Sequence, residues 1–472
     1  MFKKLLLVLP FVMLIANAQT INDAVRLGQE GVGYAPRALA LGNSYVALSD
    51  DSYGIGYNPA GIGFMRKMEW STSLSYQNFS NDATLFNKTI NGSRSTTDLS
   101  SFNFILPFPT VRGSFVVGMS YNQQKNFNEF VKFEGFNSNS TFLEDLNVDT
   151  NIPYDLYLTD TNFVTKIAGK LTQSGSNEHS GTIDNYTLAA SLEIYPNLFL
   201  GGALNIVSGK FTLQRDFYED DYDGIYNGVE LSPGDVFTRG FRTFEILTKT
   251  ELDYGAVDFK AGFLYQLQDI ARFGLTIKTP QVVSVEDALS TNASSYWADG
   301  TVKSINSEDY SDKVKYKVST PWVFTAGVAV NLAGFILTNS ATFKDNTQIE
   351  FYEGEGISSK KLDKLNNDIA NGLRATLDYG IGLEAPLPLD EGIKLRVGYN
   401  VQQSPYKDDG SEFNKKYFTG GLGFVLDGSV SFDVTYAYGS WKNYSDNYGV
   451  NDSRVNQDIT QHNVFLGFAY RF

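Results

Sequence analysis

The 472-residue chain has no cysteine and only two histidines. The first absence excludes a disulfide framework and any thiolate chemistry. The second leaves His179 and His462 as the whole imidazole inventory, too few for a zinc or haem-iron ligand set. No nucleophile signature surrounds either one, so the sequence reads as no enzyme. Positive charge is also scarce, with 38 Lys and Arg against 53 Asp and Glu and a net charge of −15. A strongly acidic chain is no nucleic-acid binder, because phosphate contacts need clustered cations. Long apolar runs are missing except for Leu5–Ile15, which follows Lys3 and Lys4 and precedes Ala16-Asn17-Ala18. That pattern predicts a secretory signal peptide over residues 1–18, too short to span a bilayer. There is no Pro-rich or Ser/Gly-rich linker to divide the remainder into domains.

Aromatic residues, by contrast, make up 14% of the chain, with 35 Phe, 28 Tyr and 43 Gly. They fall in period-two stretches. Trp70, Thr72, Leu74 and Tyr76 share one face and Ser71, Ser73, Ser75 and Gln77 the other. Val464, Leu466, Phe468, Tyr470 and Phe472 alternate with Asn463, Gly467, Ala469 and Arg471. One-sided apolar stretches of about ten residues are the length of a tilted strand crossing a bilayer. Fourteen strands are expected, near 69–78, 99–106, 112–122, 184–195, 198–211, 252–268, 271–279, 320–331, 335–344, 373–384, 392–402, 415–426, 429–440 and 461–472. Short turns alternate with long polar segments at 79–98, 123–183, 212–251, 280–319, 345–372, 403–414 and 441–460. Short turns on one side, long loops on the other and an even count predict an all-β, 14-stranded antiparallel transmembrane barrel over residues 67–472. Its expected place is a Gram-negative outer membrane, as a monomer among lipid and lipopolysaccharide. The aromatic end Tyr470-Arg471-Phe472 suits the assembly signal of such barrels.

Residues 19–66 precede the first strand and carry "YGIGYNPAG" from Tyr53 to Gly61. Proline fixes its own φ and glycines open conformations closed to other residues, so this stretch holds an irregular backbone. It serves either as a plug of the lumen or as an ordered tail. "RALALGNSYVALSDDSYGIGYNPAG", from Arg37, resembles the N-terminal hatch of the FadL/TodX-type outer-membrane transport proteins. Further similar stretches are "SLEIYPNLFLGGALNIVSG" from Ser191, "GFLYQLQDIARFGLTIKTP" from Gly262, "STPWVFTAGVAV" from Ser319 and the terminal "FLGFAYRF". The resemblance implies an N-terminal hatch inside the lumen and a transporter of hydrophobic small molecules such as long-chain fatty acids. It implies that hatch movement opens a lateral gap at the third strand, with Asn58, Pro59 and Ala60 as a hatch turn facing that strand. Gly118 is then the candidate kink, or a glycine packed beside a bulky neighbour.

Three further groups are candidate sites. Val236, Phe237, Phe241, Phe244, Ile246 and Leu247 form an apolar patch that either captures ligand or packs into a cap over the barrel. Lys260 and Arg396 project into the lumen, to meet a substrate carboxylate or to pair with Asp258 and other lumen acids. Residues 219–230, "EDDYDGIYNGVE", have the spacing of a calcium loop. Its ligands would be Glu219, Asp221, Asp223, Asn227 and Glu230, with Gly224 at the turn. Glu219 stands where the pattern expects Asp, and acidic loops are more often simply solvated. The rival function is a barrel of the same ancestry that binds a secreted protein for export or surface attachment. A third is a surface adhesin.

Overall fold

The computed structural model describes residues 20–387 and 390–472. The signal-peptide reading lies outside these residues, as do positions 388 and 389 of the turn expected at 386–391. Fourteen antiparallel strands close into one ring. They are β1 Glu69–Leu85, β2 Lys88–Phe108, β3 Phe115–Asn126, β4 Leu171–Tyr195, β5 Leu198–Asp220, β6 Phe241–Leu267 and β7 Ala271–Lys278. The ring continues with β8 Val323–Leu332, β9 Phe335–Asp345, β10 Ala375–Leu387, β11 Asp390–Gln402, β12 Lys415–Leu426, β13 Val430–Asp446 and β14 Arg454–Arg471. Each pairs with its chain neighbour, and β14 closes on β1 from Glu69↔Arg471 to Leu85↔Val455. Among the described residues no helix is long and apolar enough to cross a membrane. The crossing is made by strands.

The side-chain pattern of β1 shows where the bilayer ends. Outward positions run Trp70, Thr72, Leu74, Tyr76 and then Asn78, Ser80, Asp82, Thr84, while inward ones run Glu69, Ser71, Ser73, Ser75, Gln77 and then Phe79, Asn81, Ala83, Leu85. Its partner β14 changes at the same level, because Tyr76 lies opposite Val464 and Asn78 opposite His462. β5 and β6 repeat the switch, at Ile206 to Ser208 and at Val257 to Gly255. Below this line lipid meets the apolar face and the lumen is polar. Above it water meets the polar face and the interior becomes a soluble-type core.

The inversion accounts for the main correction to the expected boundaries. The segments 79–85, 88–98, 171–183, 212–220, 241–251, 441–446 and 454–460 are strand extensions, not loops. The 25 residues of β4 reach about 80 Å at roughly 3.3 Å per residue, far more than a bilayer requires. An outward apolar stripe stops at the edge of the hydrocarbon, although the ladder does not. Salt bridges such as Lys210–Glu251 and Lys442–Asp458 join neighbouring strands on this outer face.

The interior above the membrane is filled mainly by two large apolar clusters, with a smaller one at Phe79, Tyr417, Trp441 and Ile459. The upper one gathers Leu85, Phe133, Leu143, Phe217, Phe241, Phe244, Ile246, Trp297 and Val455 into a cap. The lower one holds Phe127, Ile183, Phe211, Leu252 and Tyr254, together with Ala24 and Val25 of the N-terminal helix α1 (Ile21–Gly28). The N-terminal residues thus run up inside the barrel, and the rest of the segment before β1 fills the lumen as a hatch.

Candidate functional site

The hatch is short helices joined by tight turns: α1, then α2 (Pro36–Ala40) with proline in its first turn, then α3 (Gly54–Tyr57). Its backbone lies so close to the wall that wall glycines are obligatory. A Cβ on Gly398 of β11 would collide with Gly42 N and Leu41 C, and one on Gly201 of β5 with Ala60 N and Pro59 C. The Asn58-Pro59-Ala60 turn is fully keyed into this surface. Asn58 Nδ2 donates to Val46 O at 2.8 Å and to Phe263 O at 3.0 Å, and Ala60 N donates to Asn58 Oδ1 at 3.1 Å. Ser191 Oγ donates to Ala60 O at 2.8 Å.

These contacts place the turn against β4, β5 and β6, not against the third strand as the resemblance implied. What faces β3 is Ile55, whose side chain leaves no room for a Cβ on Gly118. Gly118 itself is regularly paired, with Ile105 on one side and Ala189 on the other. The irregularity in β3 comes higher, as a register shift between Gln123 and Lys125. There the β2–β3 ladder also stops, at Ser101↔Asn122, beside a bulge in β2 that leaves Ser100 unpaired opposite β1. Above this point Asn126 Nδ2 holds Asp98 Oδ2 at 2.7 Å by side chains alone. The strand Glu129–Asn137 then pairs with upper β4 instead. Leu99, Phe102, Met119 and Tyr186 are exposed on the outer surface beside the break.

At its lower end the hatch is fastened by ions. Arg37 reaches Asp50 at 2.6 Å and Glu384 of β10 at 3.0 Å, and Arg272 of β7 reaches the same Asp50 at 2.7 Å. Arg396 is bound to Glu384 at 2.7 Å and to Asp433, so its expected meeting with a ligand gives way to wall pairing. Glu69, paired with Arg471, accepts from Ser52 N at 2.9 Å. Sequence reasoning missed this latch, since its members lie hundreds of residues apart. The acidic pair Asp50-Asp51 was its one local sign.

Between hatch and wall lies a chamber with a cavity volume of about 160 Å³. Glu30, Tyr34, Asn43 and Tyr57 line it from the hatch side, and Asn122, Gln124, Asn205, Lys260, Lys278 and Thr342 from the wall. Lys260 Nζ donates to Gly56 O of the hatch, while Asp258 takes Asn205, Gln281 and, at 3.8 Å, Lys278. The side-chain oxygens of Asn122, Asn185 and Asn400 are buried at its edge with no partner among the described residues. These oxygens are acceptors and suit an N–H or O–H donor of a bound molecule. Just above, on the same inward faces of β5 and β6, Val207, Phe211, Tyr254 and Leu252 begin the lower apolar cluster.

The expected capture patch is mostly interior. Phe241, Phe244 and Ile246 are buried in the cap, and Phe237 packs edge-on to Tyr157 and Trp297. Leu247 is half-buried, and Val236 alone stands 70% exposed. Cap packing, the other reading of these residues, is what is found. The expected calcium ligands also diverge. Glu219 points inward, Asp221 accepts from Ile225 N and Tyr226 N at 2.8 Å each, and Glu230 pairs with Arg239. Asp223 and Asn227 are exposed. Among the described residues no three acidic or histidine side chains converge as a metal site, so the residues present do not fit the ion. His179 contacts Glu129 at 3.2 Å, and His462 contacts the Tyr436 hydroxyl at 2.7 Å.

Glu219 does something else. It accepts from Thr141 Oγ1 at 2.6 Å, Phe142 N at 2.9 Å and Gln173 Nε2 at 2.8 Å, and Gln173 continues to Tyr448. This ties the cap loops together across the barrel. Burial pushes its carboxyl up from 4.5 to about 7. Because the folded cap holds this proton more tightly than the open chain, the stabilisation is full below about pH 4.5. It declines as pH rises through about 7. Amide exchange around Thr141–Leu146 is therefore expected to quicken from pH 5 to 8 beyond its intrinsic rise. Glu219→Gln should remove that extra slope.

No protein-family model and no curated protein matches the chain. Solved structures do match it in fold. The Pseudomonas putida toluene transporter TodX superposes with a TM-score of 0.59 at 12% identity, covering 93% of this chain and 99% of that one. A Pseudomonas aeruginosa FadL homologue gives 0.57 at 10% identity, with 94% and 98% covered. The Ralstonia pickettii toluene transporter TbuX gives 0.53 at 14%, with 93% and 98% covered. A closed ring of fourteen strands around an N-terminal hatch, matched over nearly the whole length of each chain, is the fold of the FadL/TodX-type transport proteins.

Proposed function

We propose that this chain is an outer-membrane transporter that takes up hydrophobic small molecules bearing an acidic head, long-chain fatty acids before others. The observation that carries the reading is the chamber enclosed by the hatch, lysine-bearing and set against the break in the β2–β3 ladder. Lys260 and Lys278 receive the head, and the apolar cluster at Phe211 and Tyr254, closed in this state by α1, receives the chain once the N-terminal segment moves. Movement of the hatch frees the break, and the ligand leaves sideways into the outer leaflet between β2 and β3. The apolar part then never crosses a polar layer on its way out. The solved relatives named for toluene transport share the fold, and that supports a hydrophobic substrate class.

Uptake of a radiolabelled long-chain fatty acid tests this in a deletion strain carrying wild type or Asn58→Ala with Pro59→Ala. Wild type is expected to restore uptake. The double variant, at equal surface level, should fall at least about tenfold below it, since it loses the contacts that seat the turn. If deletion leaves uptake unchanged, the substrate assignment fails. Loss of secreted or surface-attached proteins in that strain would instead favour the export reading.

A further inference from the structure

The segment between α1 and α2 is a glycine-rich strap, Gly28-Gln29-Glu30-Gly31-Val32-Gly33. Its two ends are held differently. α1 is sunk in the lower apolar cluster, and α2 sits in the ionic latch. In between, the strap touches the wall beside the irregular stretch of β3. Gly31 N donates to Gln124 O at 3.2 Å, and Gln402 Nε2 donates to Gly31 O at 3.1 Å. A Cβ on Gly31 would lie 2.6 Å from Gln124 O, so only glycine allows this approach.

Glu30 is open to the chamber, and Lys260, Lys278 and Lys344 all act on it electrostatically. No hydrogen bond or ion pair joins it to any of them among the described residues. The wall offers these lysines two carboxylates, Asp258 beside Lys278 and Asp378 at 3.0 Å from Lys344. The third lysine, Lys260, donates to the Gly56 carbonyl and makes no ion pair among the described residues. Glu30 therefore supplies the negative charge that the wall leaves short, and it does so from the hatch side of the site.

We infer that Glu30 is the chamber's resident anion, which holds the strap against the β3 break until the acidic head of an incoming ligand replaces it. The inference rests on the acidic-head reading above and adds the link between binding and opening. A carboxylate bound at Lys260 and Lys278 removes the attraction that keeps Glu30 in place. The strap then withdraws from Gln124, at the level where the β2–β3 ladder ends. An uncharged ligand of the same length cannot make that exchange, so the device selects for the head group as well as signalling its arrival.

The absence of cysteine makes a single label simple. A nitroxide on Gln29→Cys in the purified full-length protein reports strap mobility, with dodecanoate and dodecanol as probes. In the otherwise wild-type protein the label should be immobilised, released by dodecanoate and unaffected by dodecanol. Glu30→Gln should release it with no ligand and bind dodecanoate at least about tenfold more tightly, since the internal competitor is gone. Lys278→Met should loosen the strap in the same direction, which keeps the test open if Glu30→Gln folds poorly. A label as immobile in both variants as in the wild type, with no gain in affinity, overturns the inference. If the variants free the strap but dodecanoate neither binds to nor moves the wild type, it is the acidic-head reading that fails.

Discussion

Gly398→Val is expected to turn a closed barrel into a steadily conducting one. Gly398 is paired regularly with Gly382 on β10 and Thr419 on β12, and valine is a favourable strand residue, so the ladder should survive. The hatch should not. Gly42 N and Leu41 C occupy the space a side chain would need, at a point where the hatch turns through Gly42 at φ +63°. Gly274 and Gly380 are pressed in the same way by Val46 O and Gly42 O, so the hatch is keyed by backbone contact around the ring and a bulge at one key lifts it. Overpacking of this kind costs roughly 1–3 kcal/mol where neighbours can yield, and here the neighbours are backbone. Planar-bilayer recordings should show wild type closed and Gly398→Val open. Gly255→Val, where a new Cβ meets nothing within 4 Å, should stay closed. A closed Gly398→Val channel would mean that the hatch tolerates displacement.

The second large effect is expected at Arg37. This side chain bridges the hatch acid Asp50 and the wall acid Glu384 and lies 3.6 Å from Asp51. Arg37→Met leaves Glu384 with Arg396 and Asp50 with Arg272 of β7, but it cuts the hatch's ionic link to β10 and removes the cation beside Asp51. Breaking a buried pair from one side costs about 3–5 kcal/mol, and the remaining partners place this case at the low end. About 3 kcal/mol corresponds to roughly a hundredfold. Amide exchange in the hatch at Ser52 and Asn58 should quicken by that factor while the β1–β14 ladder keeps its protection. Arg37→Lys should fall between, because an ammonium cannot span both carboxylates as the guanidinium fork does. Equal protection of the hatch in all three proteins would show that the latch contributes nothing.

How much of this could be read from the chain depended on whether a signal was local. The strand count survived because each crossing carries its own stripe, such as Trp70 to Tyr76, and because the short turns at 196–197 and 427–428 punctuate it. Strand ends were misjudged wherever the stripe changes sides, as at Tyr76 to Asn78, since a polar outward face looks like a loop. The hatch was visible in Asn58-Pro59-Ala60 and its glycines, but its facing partner was not. Which wall strands a lumen segment meets depends on the whole ring, and the glycines that receive it, Gly201 and Gly262, read locally as ordinary barrel glycines. For Phe241, Phe244 and Ile246 capture and cap packing both stayed open, because nothing in their own stretch announces a soluble core above the membrane. Spacing suggested calcium at 219–230, yet Glu219 is taken by Thr141, Phe142 and Gln173, Asp221 by the turn at Ile225 and Tyr226, and Glu230 by Arg239.

Ligand is expected to pass only when the hatch moves. Ser44 and Thr338 face each other across the hatch–wall contact with hydroxyl oxygens 3.1 Å apart, and the chain has no other thiol to interfere. The decisive measurement is fatty-acid uptake by cells carrying Ser44→Cys with Thr338→Cys, before and after reduction. The account predicts uptake at the deletion-strain level when the pair is oxidised and recovery to the wild-type rate on reduction. Full uptake with the hatch covalently locked to β9 would contradict it.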